Sequence, residues 1–146
     1  MTGEVETAAV RYPEASLSSD DQERAQRPRT VYVVDDEEMV RTVASELLRH
    51  LGYAVESASS GEEAIAYIEA GARPDCVLLD VVMPGMGGAE ALRRIRALAP
   101  EIKVVISSGF TDRVSSASLV DEGAAGIITK PYRMETLGSR LRELLV

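Results

Sequence analysis

The chain contains no Trp, one Phe, one Cys and one His among 146 residues. With so few aromatics, its core must be built from Val, Ile, Leu and Ala. The lone cysteine, Cys76, excludes an internal disulfide and cannot make a thiolate metal site by itself. Its place inside an apolar run marks it as a small core residue. No apolar run approaches the ~18 residues of a membrane span, and no signal peptide opens the chain. A cytoplasmic protein is therefore expected. Positive charge is also short: 16 Lys and Arg face 24 Asp and Glu, for a formal charge of −8 and a pI near 4.7. That balance argues against nucleic-acid binding through this chain, because phosphate backbones need a basic surface.

What remains is enough for one domain, with roughly two-thirds of the extended surface buried on folding. Residues 1–29 are polar, with little periodic apolar content, and read as a flexible N-terminal extension. The folded domain is expected over 30–146. There, strand-like and helix-like segments alternate. Strands are expected at Val31–Val34, Tyr53–Val55, Cys76–Leu79, Ile102–Ile106 and Gly126–Thr129. Between them, Val40, Val43, Leu47 and Leu51 recur at helical spacing up to Gly52. Ser60 and Glu63 form a capping box for a second helix that stops at Gly71. Ala89–Leu98, a weaker Thr111–Glu122 and Glu135–Leu145 complete the helices. Short strands without strict alternation fit a sheet covered on both faces. Right-handed crossovers then give an α/β fold, a doubly wound five-stranded parallel sheet.

Ligands in such sheets sit at the carboxyl ends of the strands. Asp35, Asp36, Asp80, Ser108 and Lys130 all fall at such ends. Carboxylates gathered in one pocket repel, so the pocket needs a cation. Three carboxylate ligands and no His or Cys set suit Mg²⁺ or Mn²⁺ rather than zinc. Magnesium takes only one or two protein carboxylates in most sites, which leaves Asp80 as a candidate nucleophile able to form an acyl phosphate. Lys130 offers a point charge to the same phosphate, and Ser108 a hydroxyl hydrogen bond. Taken singly, each feature has a plainer explanation. Asp35-Asp36 can be a helix N-cap, Asp80 a loop residue before a turn, Ser108-Gly109 a turn and Lys130-Pro131 a strand exit. Their joint placement at successive strand ends favours one site.

Residues 30–146 resemble a receiver domain of the two-component response-regulator family. The resemblance rests on Val33-Val34-Asp35-Asp36-Glu37, on the stretch from Leu78 through Asp80 and Pro84 to Met86, and on Ile106-Ser107-Ser108-Gly109. Gly123-Ala124-Ala125-Gly126 and Thr129-Lys130-Pro131-Tyr132 complete it. It implies a flavodoxin-like (βα)5 fold with strand order 2-1-3-4-5. It further implies that Asp80 accepts a phosphoryl group from a phosphohistidine on a histidine kinase or histidine phosphotransfer protein. Asp36, Asp80 and the main-chain carbonyl of Val82 would bind Mg²⁺, with Asp35 acting through a bound water. Ser108 and Lys130 would hold the phosphoryl oxygens, Ser107 would point off the site, and the Lys130–Pro131 peptide would be cis.

The chain departs from the family pattern at Ile127, where the family carries Tyr or Phe, so the usual aromatic switch has no ring to move. Val82 and Phe110, beside the site, cannot hydrogen-bond an attacking water, which implies a long-lived acyl phosphate. Ser115, Ser116 and Ser118 make the fourth helix marginal, a candidate for the element that phosphorylation biases. His50, at a helix end, reads as an exposed residue rather than a relay histidine. A phospho-switch that acts through an unknown downstream protein, as a monomer or weak dimer and without an output domain of its own, is the expectation. Such a domain catalyses only its own phosphorylation and dephosphorylation. A detached C-terminal receiver of a hybrid histidine kinase is the related alternative, since Ser107 to Asp112 and Lys130-Pro131-Tyr132 resemble such receivers. An aspartyl-phosphate-forming phosphatase is the remote one, because the chain lacks an Asp-x-Asp at the first strand and a cap insertion.

Overall fold

The computed structural model describes residues 27–109 and 113–145. The expected extension at 1–29 lies outside the described residues up to position 26, as do Phe110, Thr111 and Asp112. Among the described residues, five strands and five helices alternate: β1 (Thr30–Val34), α1 (Glu38–His50), β2 (Ala54–Ala58), α2 (Gly61–Glu69), β3 (Cys76–Asp80), α3 (Gly88–Leu98), β4 (Lys103–Ser108), α4 (Arg113–Asp121), β5 (Gly126–Thr129) and α5 (Met134–Leu144). The strands pair in parallel in the order β2-β1-β3-β4-β5.

The strand period of two sorts the core into two layers. Val31, Val33, Cys76, Leu78, Val105 and Ile128 face one side, where Ala44 and Leu48 of α1 and Leu137 and Leu141 of α5 cover them. Tyr32, Val34, Val77, Leu79, Val104 and Ile106 face the other, against α2, α3 and α4 through Ile65, Ile68, Leu92, Ile95 and Leu119. β3 is buried along its whole length, so its apolar run does not alternate with polar residues. Cys76 is wholly buried and burial pushes its thiol up to about 12, as befits a core residue.

The first two helices differ in detail from the sequence expectation. Ser60 caps α2 as foreseen, its hydroxyl accepting the Glu63 N–H at 3.0 Å, but the Glu63 carboxylate reaches back to the N–H of Ser59 at 2.9 Å. The apolar face of α1 is also displaced. Ala44 and Leu48 fill the core, Leu47 and Leu51 pack at its margin, and Val43 is 47% exposed.

The topology places the carboxyl ends of β1, β3, β4 and β5 along one edge. Close approach there depends on Gly88. A Cβ at that position would lie 2.6 Å from the Asp80 carbonyl oxygen and 2.8 Å from the Val81 Cα. Without a side chain, Gly88 starts α3 directly against the end of β3 and donates its N–H to the Val81 carbonyl at 3.0 Å. The intervening loop is tied to α2 by Glu62, whose carboxylate accepts the Met86 N–H at 3.1 Å.

Candidate functional site

Asp35 directly follows β1 and Asp80 is the last residue of β3, and both are buried, at 1% and 4% exposure. Asp36 follows at the exposed rim. Carboxylate oxygens of Asp35, Asp36 and Asp80 lie within 4.8 Å of one another. Lys130, one residue past β5, extends its ammonium between two of them. Its Nζ lies 3.0 Å from Asp35 Oδ2 and 3.1 Å from Asp80 Oδ1. Asp80 Oδ1 also takes a long bond from the Val82 N–H at 3.4 Å.

Burial pushes the Asp80 carboxyl up to about 6, with help from the neighbouring Asp35 charge and against the pull of Lys130 and the Val82 N–H. Burial alone would push the Lys130 ammonium down. Hydrogen bonds and attraction from Asp35 and Asp80 outweigh it and hold Lys130 above its ordinary value. The site therefore keeps a fixed cation beside an acid that is poised near neutrality.

One ammonium against three carboxylates leaves two negative charges to balance, which is the charge of one divalent cation. The donors are all carboxylate oxygens, hard ligands of the type Mg²⁺ and Mn²⁺ prefer. Asp35, Asp36 and Asp80 thus fit such an ion by charge and donor type.

The remaining expected residues are distributed as follows. Val82 has its side chain 61% exposed next to the pocket. The Ser108 hydroxyl donates to the Gly109 carbonyl at 3.1 Å; in the ladder Ser108 pairs with Thr129, and its carbonyl accepts the N–H of the next residue, Lys130, at 2.8 Å. Ser107 is turned to another partner, the hydroxyl of Tyr132. The Lys130–Pro131 peptide is cis. Ile127 packs half-buried at the edge of the core, on the α2, α3 and α4 side. His50 is exposed in the last turn of α1. The plain N-cap explanation of Asp35-Asp36 does not hold: Glu37 is the N-cap of α1 and has no side-chain cap bond, while Asp35 Oδ1 accepts the Glu37 N–H at 2.9 Å in a turn before the helix and Oδ2 holds Lys130.

Three contributions escaped the sequence. Arg41 donates to the Asp35 carbonyl at 2.8 Å and braces the end of β1. Tyr132 bonds Ser107 beneath the pocket. Met39, Val40 and Val43 line an apolar groove of about 490 Å³ with Lys130, Pro131 and Tyr132. The excess of apolar residues on α1 was a usable signal for the groove, because the core needs only part of them.

The response regulator receiver domain family matches residues 31–142. The chain is 36% identical over 117 residues to the sensor kinase CckA of Brucella abortus, covering 80% of this chain and 12% of that protein. It is 36% identical over 118 residues to the response regulator MprA of Mycolicibacterium vanbaalenii, covering 81% of this chain and 51% of that protein. It thus spans about half the length of such regulators and a small part of the kinase. Among solved structures, the chemotaxis protein CheY4 of Vibrio cholerae superposes with a TM-score of 0.74 at 31% identity, over 82% of this chain and all of that one. Among the described residues, no helix is long and apolar enough to cross a membrane. Fold, strand order and family match agree, and the chain belongs to the response regulator receiver domain family, the signalling domain of two-component systems.

Proposed function

We propose that residues 30–146 form a phospho-accepting receiver in which Asp80 takes a phosphoryl group from a histidine kinase or histidine phosphotransfer protein. The observation that carries this is the Lys130 ammonium bridging Asp35 and Asp80 at 3.0 and 3.1 Å, with Asp36 beside them. In the transfer an Asp80 carboxylate oxygen attacks phosphorus, the P–N bond to the donor imidazole breaks, and the imidazole leaves after taking a proton. Lys130 meets the phosphoryl oxygens as a point charge already in place, so little reorganisation is needed as charge develops. Ser108 adds a hydroxyl on the β4 side. Asp36, Asp80 and the Val82 carbonyl, with Asp35 through a water, would hold Mg²⁺ (or Mn²⁺), which supplies neutralisation of the phosphoryl and carboxylate charges.

Receiver domains of response regulators interact with histidine kinases. The groove of Met39, Val40, Val43, Pro131 and Tyr132 adjoins Lys130 and offers the phosphohistidine protein an apolar seat within reach of Asp80. Signalling then proceeds by conformational change towards a downstream protein, with no turnover beyond the domain's own phosphorylation and dephosphorylation. The location is cytoplasmic, where the ATP that charges such donors is found.

The test is mass spectrometry after treatment with acetyl phosphate, with and without Mg²⁺, on the parent and on Asp80→Asn. A metal-dependent gain of about 80 Da that the variant lacks is expected. A parent that never takes up label, or a variant that still does, overturns the assignment. The exposed Val82 side chain also bears on the lifetime of the product. Asn at Val82 would present a group able to hold the attacking water, and the label should decay severalfold faster. An unchanged half-life would remove Val82 from that role.

The match to CckA favours a second reading, in which this domain is the receiver of a hybrid sensor kinase. A kinase coding segment in frame upstream would decide for it.

A further inference from the structure

We propose that the hydroxyl pair of Ser107 and Tyr132 is a positioning element, which seats the loop after β5 so that the Lys130 ammonium stays between Asp35 and Asp80. The inference rests on phosphoryl acceptance at Asp80 for its readout, and on contacts around Tyr132 for its content.

Ser107 stands directly opposite Asp80 in the β3–β4 register and is 1% exposed. Its hydroxyl is bonded to that of Tyr132, two residues beyond Lys130. The Tyr132 ring packs against the core layer of α1 and α5, and its outer side lines the groove shared with Met39 and Val43. Burial pushes the Tyr132 phenol up to about 12, against the smaller pull of Ser107 and Lys130, so it remains a neutral hydroxyl. The Lys130 backbone is tied to β4 by the bond from its N–H to the Ser108 carbonyl at 2.8 Å. The side-chain tie to Ser107 anchors the far end of the same short segment to the neighbouring residue of β4. Lys130 is thus held on both sides by consecutive residues of one strand.

Packing alone does not call for these hydroxyls. A Phe at 132 and an apolar residue at 107 would fill the same space, and replacing both partners of a buried hydrogen bond by apolar groups is close to neutral for stability. A hydroxyl pair in this place gains direction instead. It fixes where the loop lies along β4, and with it the reach of the lysine. Because misplacing a reacting group by about 1 Å can cost up to a hundredfold in rate, a modest loosening of Lys130 should be visible.

The experiment measures the rate of Asp80 labelling by acetyl phosphate with Mg²⁺, as maximal rate and half-saturating concentration. It compares the parent, Tyr132→Phe, Ser107→Ala and their combination, each also in a Lys130→Ala background. Each single change should lower the maximal rate about five- to tenfold with the half-saturating concentration unchanged. The combination should be no slower than the worse single change. In the Lys130→Ala background, neither change should have a further effect, because the element acts through that lysine. A merely structural role would leave the losses additive in that background, and such additivity overturns the proposal. So does a labelled parent with both single variants at the parent rate. Should Tyr132→Phe fail to fold, Ser107→Ala breaks the same bond from the β4 side and decides alone. Absence of label on the parent sinks the receiver assignment and this element together, whereas a labelled parent with unaffected variants sinks only the latter.

Discussion

Lys130→Ala should slow phosphoryl transfer to Asp80 by about a hundredfold or more and lower the stability of the fold at the same time. With Asp80 as the proposed acceptor, the rate loss follows from removing a preorganised cation 3.1 Å from it, an effect that costs about 10²–10³ for single donors in comparable sites. The stability loss follows from geometry. Lys130 pairs with Asp35 at 3.0 Å and with Asp80 at 3.1 Å, and its side chain is only 19% exposed. Truncating one partner of a buried ion pair leaves an uncompensated charge and typically costs about 3–5 kcal/mol. Here the lysine is not fully desolvated and Asp80 can take up a proton, so a loss of about 2 kcal/mol is the reasonable figure. Urea unfolding would read it. Magnesium supplies the missing charge in another form, because a cation that binds only the folded state stabilises it by mass action. Millimolar Mg²⁺ should therefore recover much of the stability but not the rate. A variant with parental labelling kinetics would show that Lys130 belongs to the fold and not to the chemistry.

That contrast depends on residues whose meeting was legible in the chain, because each ends or follows a strand. Apolar runs stopping at Asp35 and Asp80 identify strand ends, and in a parallel sheet those ends share one edge. Lys130 follows the same rule from β5. Strands were harder to delimit where polarity hid them. β2 runs on to Ala58, past the expected Val55, because Glu56 and Ser57 are exposed on an edge strand and carry no apolar signal. β4 continues through Ser107 and Ser108, small polar residues that read as a turn yet are buried in the ladder.

The face of α1 misled for the opposite reason. Val40 and Val43 match helical periodicity, but periodicity reports apolar character and not what covers it. Met39, 79% exposed, and Val43 belong to the groove beside Lys130, while the core takes Ala44 and Leu48. Arg41 and the Ser107–Tyr132 pair could not be found from spacing. Arginines and hydroxyls are common, and these meet their partners only through the path of the loops.

Asp80→Asn, which should abolish labelling, is expected to act on stability in the direction opposite to Lys130→Ala. Burial first, and the Asp35 charge second, push the Asp80 carboxyl up to about 6, even with Lys130 pulling against them. A carboxyl of the unfolded chain titrates near 3.9. Between those values the folded state binds the extra proton, so the Asp80 charge opposes folding above pH 6 and is without effect below about pH 4. A two-unit difference corresponds to roughly 3 kcal/mol, and screening by solvent at the open rim reduces this to about 1–2 kcal/mol. In EDTA at pH 7 the neutral, nearly isosteric Asn should therefore stabilise the protein by that amount. The gain should shrink as pH falls through 6 and vanish near 4, where the parent carboxyl is protonated in both states. Adding Mg²⁺ at pH 7 should narrow the gap, because the ion rewards the charged form of the parent and finds a weaker site in the variant. A gain that persists unchanged at pH 4 would mean that the cost lies in packing around Asp80 and not in its charge. Asp80 would then carry no electrostatic strain for the proposed phosphorylation to relieve.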